Sequence, residues 1–144
     1  MCYSFTVDEN SQIGKSVGTI SASDSDIGKN AQITYQIHSD GGYFRINQTT
    51  GEITISRNLD REMNATHKPI VYARDNGDNI LSSSVTVTIS VNDINDNAPI
   101  FSSDRIMVEF EENKDCSNTI TTLLATDSDK PNSEYSRITY SLSR

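Results

Sequence analysis

The residues with the clearest chemistry in this chain are Asp93-Ile94-Asn95-Asp96-Asn97, followed by Ala98-Pro99-Ile100-Phe101. Five consecutive positions supply two carboxylates, two side-chain amides and their backbone carbonyls, all hard oxygen donors with no Cys or His among them. Such a set suits Ca²⁺, which takes about six to eight oxygen ligands in flexible geometry, and not Zn²⁺, which prefers sulfur and nitrogen. Pro99 removes a backbone donor and holds Ala98 out of the helical region, so the chain must leave the cluster extended. The stretch 93–99 is therefore expected to be a short, stiff linker that binds metal.

An EF-hand loop is the competing reading, because Asp93, Asn95, Asn97 and Asp104 fall at its ligand positions one, three, five and twelve. Its context fails. The sharp turn at position six needs Gly and finds Ala98, and the preceding Val85-Thr86-Val87-Thr88-Ile89-Ser90-Val91 alternates as a strand where a helix is required.

The elements that must position these donors are short strands. Tyr3–Val7, Val17–Ala22, Gln32–Ile37, Tyr43–Ile46, Glu52–Ile55, Lys68–Arg74 and Ser83–Val91 alternate or run apolar, and Asn47-Gln48-Thr49-Thr50-Gly51 has the composition of a hairpin turn. Seven strands with turn signals about every ten residues, and no segment of helical period, predict an all-β, seven-stranded Greek-key β-sandwich of immunoglobulin-like type. Its predicted core is Phe5, Val7, Val17, Ile20, Ala22, Ile33, Tyr35, Ile37, Phe44, Ile46, Ile53, Ile55, Leu59, Ile70, Tyr72, Val87, Ile89 and Val91.

Three motifs then repeat. Val7-Asp8-Glu9-Asn10 returns as Phe110-Glu111-Glu112-Asn113 and Ser23-Asp24-Ser25-Asp26 as Thr126-Asp127-Ser128-Asp129, both 103 residues further on. After a two-residue insertion, Ile33-Thr34-Tyr35 returns as Ile138-Thr139-Tyr140. A shared spacing across separated motifs points to tandem sandwich domains. Residues 1–97 are expected to form one complete domain and residues 98–144 the first strands of a second, joined through the linker 93–99.

Composition narrows the function. The net charge of −8 excludes a nucleic-acid partner, whose phosphates demand a basic face, and no apolar run approaches the ~20 residues of a membrane helix, so no membrane insertion is expected of this stretch. Met1 leads directly into an alternating strand, so no secretory leader is expected in this stretch. Cys2 and Cys116 fall in different repeats and are expected to be unpaired thiols. The sequons at Asn47 and Asn64 lie in predicted turns, where a glycan could be attached. No catalytic residue is expected: His38 and His67 are read as solvent-exposed, and Asp60 and Glu62 lie two apart on one stretch, so they cannot face each other across a substrate.

Taken together, Asp8-Glu9-Asn10, Asp24-Ser25-Asp26, Leu59-Asp60-Arg61-Glu62, Ala73-Arg74-Asp75 and Asp93-Ile94-Asn95-Asp96-Asn97-Ala98-Pro99 resemble an extracellular cadherin repeat, in the manner of protocadherins and the long atypical cadherins. The resemblance covers the whole chain. It implies up to three Ca²⁺ ions at the 93–99 linker, fewer where the second repeat is incomplete. Glu9, Asp60 and Glu62 would come from the first repeat, and Asp93, the carbonyl of Ile94, Asn95, Asp96 and the carbonyl of Asn97 from the linker. Asp127 and Asp129 would come from the second. It further implies half-sites at Asp24, Asp26, Asn30 and Asp75 for a preceding linker, and at Glu112 for a following one, which marks an interior position in a longer ectodomain. The implied function is calcium-dependent cell adhesion or recognition, outside the cell, as part of a single-pass plasma-membrane protein. Its partners would be other cadherin ectodomains, homophilic or heterophilic, and neighbouring repeats of the same chain. With no Trp near residue 2, adhesion by strand exchange is not expected. A metal-independent immunoglobulin- or fibronectin-like receptor module is the alternative; it accounts for the sandwich but leaves the clustered acids unexplained.

Overall fold

The computed structural model describes residues 2–23, 32–38, 41–76, 81–109, 112 and 119–143. The chain divides into two compact units, Met1–Asp93 and Ile94–Arg144. In the first lie β1 (Tyr3–Asp8), β2 (Ser16–Thr19), β3 (Thr34–His38), β4 (Phe44–Ile46), β5 (Glu52–Ile55), β6 (Thr66–His67), β7 (Ile70–Arg74) and β8 (Ser82–Asn92). In the second lie β9 (Ile100–Phe101) and β10 (Ala125–Thr126). No helix occurs among the described residues, and none is long and apolar enough to cross a membrane.

Two sheets make up the first unit. One runs β1-β8-β7-β3 with β6 also on β8, and the other runs β2-β5-β4. Strand β1 pairs parallel to the C-terminal half of β8, Tyr3 opposite Val87 through Asp8 opposite Asn92, while β6 and β7 pair with β8 antiparallel. Consecutive strands mostly change sheet, in the over-and-under manner of a Greek key, and β4–β5 is a hairpin. The two inner faces enclose Val7, Ile20, Tyr35, Phe44, Ile53, Ile55, Leu59, Val71, Val87, Ile89 and Val91. The β-sandwich expected from alternation is thus the fold. Alternation also explains β8, whose Val85, Val87, Ile89 and Val91 point inward while Ser84, Thr86, Thr88 and Ser90 do not enter the core.

Three expectations need correction. Lys68–Arg74 is not one strand: Thr66–His67 and Ile70–Arg74 are separate elements, because Pro69 has no N–H to give the ladder. The Pro69 carbonyl still accepts from Val87 N at 2.9 Å, so the two pieces act as one interrupted strand and seven remain among the described residues of the first unit. Within β7 the phase is also opposite to that expected. Val71 is buried and Ala73 packs on the core, whereas Ile70 and Tyr72 lie outside it, with Tyr72 edge-on to the exposed His38 at a ring separation of 5.3 Å. The register fixes this, since Val71 pairs with the inward Ile37 and Val85.

His67 is corrected in the same way. It pairs with the inward Ile89, is buried, and packs against Tyr43 and Phe44 at ring separations of 4.8 and 5.3 Å. Cys2 is an exposed free thiol, and Cys116 lies outside the described residues.

Candidate metal centre

The first unit gathers acids at the end where β1 and β8 finish side by side. Glu9 follows β1 directly, and its N–H donates to the Asn92 carbonyl at 3.1 Å. Asn10, at φ 53°, then turns the chain and donates to the Leu59 carbonyl at 3.1 Å. This bond ties Glu9 to the 59–62 loop. Glu9 itself is only 2% exposed, and its Oε2 accepts from the Arg61 N–H at 2.9 Å. Leu59, fully buried, anchors that loop to the core.

Asp60 is exposed and caps the following turn, with Oδ1 accepting from Met63 N at 3.0 Å and its carbonyl from Asn64 N at 3.0 Å. The Arg61 guanidinium reaches both Asp93, through Nε, and Glu62, through a terminal nitrogen. Burial would lower the pKa of that guanidinium. The hydrogen bond to Asp93 and the charges of Glu62 and Asp93 outweigh burial, so the pKa is raised. Glu62 has its carboxyl pushed up, first by burial and then by the negative charge of Glu9, with Arg61 only partly offsetting them. A carboxyl raised by burial and by a neighbouring acid is short of positive charge.

The second unit has its own cluster. Asn97 donates from its backbone N–H (3.2 Å) and its Nδ2 (2.9 Å) to Asp129 Oδ1, and the same Nδ2 reaches Asp96 Oδ1 at 2.8 Å. Asp129 N–H closes a turn onto Asp127 Oδ1 at 2.9 Å. Asp129 is 1% exposed, and its Oδ2 has no hydrogen-bond partner among the described residues. An orphaned buried carboxylate oxygen is costly and is stabilised by a cation. Ile94 and Asn95 are exposed.

The donor chemistry of both clusters fits a hard cation. Each offers carboxylate, amide and carbonyl oxygens, and no Cys or His belongs to either. Glu9, Glu62 and Asp93 meet around Arg61 in the first unit, with Asp60 on the adjoining turn, and Asp96, Asn97, Asp127 and Asp129 form one bonded chain in the second.

Of the other expected ligands, Asp75 is buried and both its carboxylate oxygens accept from Leu81 N at 3.1 Å. Asp24, Asp26 and Asn30 lie outside the described residues, and Glu112 is exposed. Both sequon asparagines are exposed: Asn47 Oδ1 accepts from Thr49 N (3.0 Å) and Thr50 N (3.1 Å), and Asn64 Oδ1 from Thr66 N at 3.3 Å. Arg61 entered the sequence reading only as part of Leu59-Asp60-Arg61-Glu62, and its bridging position was missed. The signal available was its placement between two acids in Asp60-Arg61-Glu62.

The fold and an acid cluster after the last strand define a class, and comparison with known proteins names it. The cadherin-domain family model matches residues 3–92, and this chain belongs to the cadherin family. It is 40% identical over 128 residues to human Protocadherin Fat 1, covering 88% of this chain and 3% of that protein. It is 42% identical over 97 residues to the Protein dachsous of Drosophila melanogaster, covering 67% of this chain and again 3% of the relative. Among solved structures, the protocadherin GammaB4 extracellular domain superposes with a TM-score of 0.84 at 28% identity, over 94% of this chain and 24% of that one. The human Desmocollin-1 ectodomain gives 0.74 at 34% identity, over 94% and 26%. The chain thus spans a small fraction of the relatives it matches.

Proposed function

We propose that this chain is a calcium-binding segment of an extracellular adhesion or recognition protein, with residues 1–97 a complete cadherin repeat and residues 98–144 the beginning of the next. The observation that carries the reading is the partnerless, buried Oδ2 of Asp129, on a residue that repeats Asp26 of the first unit. A second sign of the repeat is a shared hydrogen bond. Ala22 N–H donates to Tyr35 Oη at 2.9 Å in the first unit, and Ala125 N–H to Tyr140 Oη at 3.0 Å in the second.

Calcium would be held by Glu9, Asp60, Glu62, Asp93, the Ile94 carbonyl, Asn95, Asp96, the Asn97 carbonyl, Asp127 and Asp129. When bound, the ion supplies positive charge that neutralises these acids. The protein's part is to bring donors from two consecutive repeats to one linker, so that filling the site fixes the orientation of one repeat on the next. Asp75, with Asp24, Asp26 and Asn30, would serve a preceding linker and Glu112 a following one. The role is mechanical stiffening of an ectodomain on the plasma membrane, without catalysis, with other cadherin ectodomains as partners and glycans at Asn47 and Asn64.

Thermal unfolding with Ca²⁺ and with chelator, in the parent and in Asp93→Ala/Asp96→Ala, tests this. Extracellular calcium modules bind at about 10⁻⁴–10⁻³ M, and ligand at ten times Kd adds ~1.4 kcal/mol per site. Millimolar Ca²⁺ should raise the Tm of the parent by several degrees. The double substitution should abolish the rise. A parent protein whose Tm ignores calcium removes the metal from the reading and leaves a plain binding sandwich.

A further inference from the structure

We infer that Arg61 is an internal competitor for the metal, holding the first repeat's ligand carboxylates closed until calcium displaces it. The inference rests on the calcium reading above and adds a residue which that reading does not use. Arg61 touches three acids at once: its backbone N–H donates to Glu9 Oε2 at 2.9 Å, its Nε to Asp93 Oδ1 and its terminal nitrogen to Glu62 Oε1. The two side-chain contacts use two different nitrogens of the planar guanidinium fork, a geometry that a lysine ammonium cannot reproduce.

The backbone bond and the side-chain bonds have different consequences. The first shapes the 59–62 loop and can persist with a cation present, since Glu9 keeps a second oxygen. The others use lone pairs on the two carboxylates that Ca²⁺ would approach at about 2.3–2.6 Å. A divalent ion at that distance from Asp93 and Glu62 would sit within a few ångströms of the guanidinium. Two like-signed cations of total charge three cannot share those oxygens cheaply in a partly buried site. The guanidinium cannot relieve the conflict by losing its proton, because an arginine stays charged throughout the pH range of proteins. It can only move, and its side chain is long enough to swing into solvent.

Two effects follow. At low calcium Arg61 offsets the repulsion among Glu9, Glu62 and Asp93, so the end of the first repeat keeps its shape. Calcium binding must then replace these contacts, which weakens the apparent affinity and sets the concentration at which the linker fills. Simple charge balance would need only a positive charge nearby, whereas competition requires the forked contact.

The full 144-residue chain should be titrated with CaCl₂ by calorimetry as parent, Arg61→Gln and Arg61→Lys, with melting in EGTA measured alongside. Competition predicts that Arg61→Gln binds Ca²⁺ roughly three- to tenfold more tightly and melts several degrees lower in EGTA, and that Arg61→Lys follows it in both. On the unaltered chain, the Arg61 Nε–H resonance should be sharp and slowly exchanging in EGTA and lost on saturation with Ca²⁺. If the parent binds but Arg61→Gln binds no more tightly, Arg61 is a static bridge and the inference is overturned. If Arg61→Lys matches the parent while Arg61→Gln tightens, charge alone is at work and the forked competition is overturned. Should neither the parent nor any variant bind Ca²⁺, the calcium reading itself falls and the competition with it. Should Arg61→Gln fail to fold, the lysine variant and the resonance still decide.

Discussion

Gly51 lies at φ 72°, and a Cβ built there would stand 2.2 Å from the Ile20 carbonyl oxygen, which is backbone and cannot step aside. Its own N–H donates to the Asn47 carbonyl at 3.0 Å, and its carbonyl accepts from Ile20 N at 3.0 Å. The residue therefore closes the β4–β5 turn and brings the β2 edge against it. Gly51→Ala should cost more than about 2 kcal/mol, combining left-handed strain with a displaced strand, and chemical denaturation will read the loss directly. At this scale much was legible. Asn47 through Gly51 announced a turn by composition, and Asp93 through Asn97 announced a concentration of oxygen donors by residue type. The geometry of Arg61 was not legible, because a charged residue between acids fits both idle balance and a three-way bridge until its χ angles are known.

The elements show where alternation stops informing. In Ile70-Val71-Tyr72-Ala73 every position is apolar or aromatic, so period-two reasoning cannot choose a face from those four alone. The answer was in the flanks: Lys68 and Arg74 share the parity of Ile70 and Tyr72, which labels that face as solvent. His67 belongs to the opposite parity and is accordingly buried among aromatic rings. Strands with a polar residue at every second position, such as β8, left no such ambiguity. Val71→Ala should therefore destabilise by about 2 kcal/mol, from two lost methyl groups and the cavity they leave. Ile70→Ala, on the outward face, should cost no more than about 1 kcal/mol although it removes more hydrocarbon. Urea melts of the pair check the phase, and the reverse ranking would place Ile70 in the core.

At the scale of the whole chain the two units differ in how their backbones are held. Strand β8 runs for 11 residues, with β6 and β7 along one side and β1 along its C-terminal half on the other. Its amides from Val85 to Val91 should open only with global unfolding. The described part of the second unit offers two strands of two residues each, β9 and β10, plus single bonds such as Ser102 N–H to the Leu124 carbonyl at 2.9 Å. Around these, Ile100, Phe101, Met107, Leu124 and Leu142 remain exposed, so little apolar burial opposes local opening. Hydrogen exchange by NMR should find the β8 amides slower than those of 119–126 by a factor on the order of 10² or more. Calcium gives this comparison its functional content. Asn97 N–H ends on Asp129 Oδ1 and Asp129 N–H on Asp127 Oδ1, so a cation that locks these carboxylates also locks the amides bound to them. Adding millimolar Ca²⁺ should slow exchange at Asn97 and Asp129 by about tenfold while leaving the interior of β8 almost unchanged, since each 1.4 kcal/mol of local stabilisation is one decade in opening. Equal slowing everywhere would mean that calcium stabilises the sandwich as a whole. No slowing at Asn97 and Asp129 would mean that their carboxylates do not hold the ion.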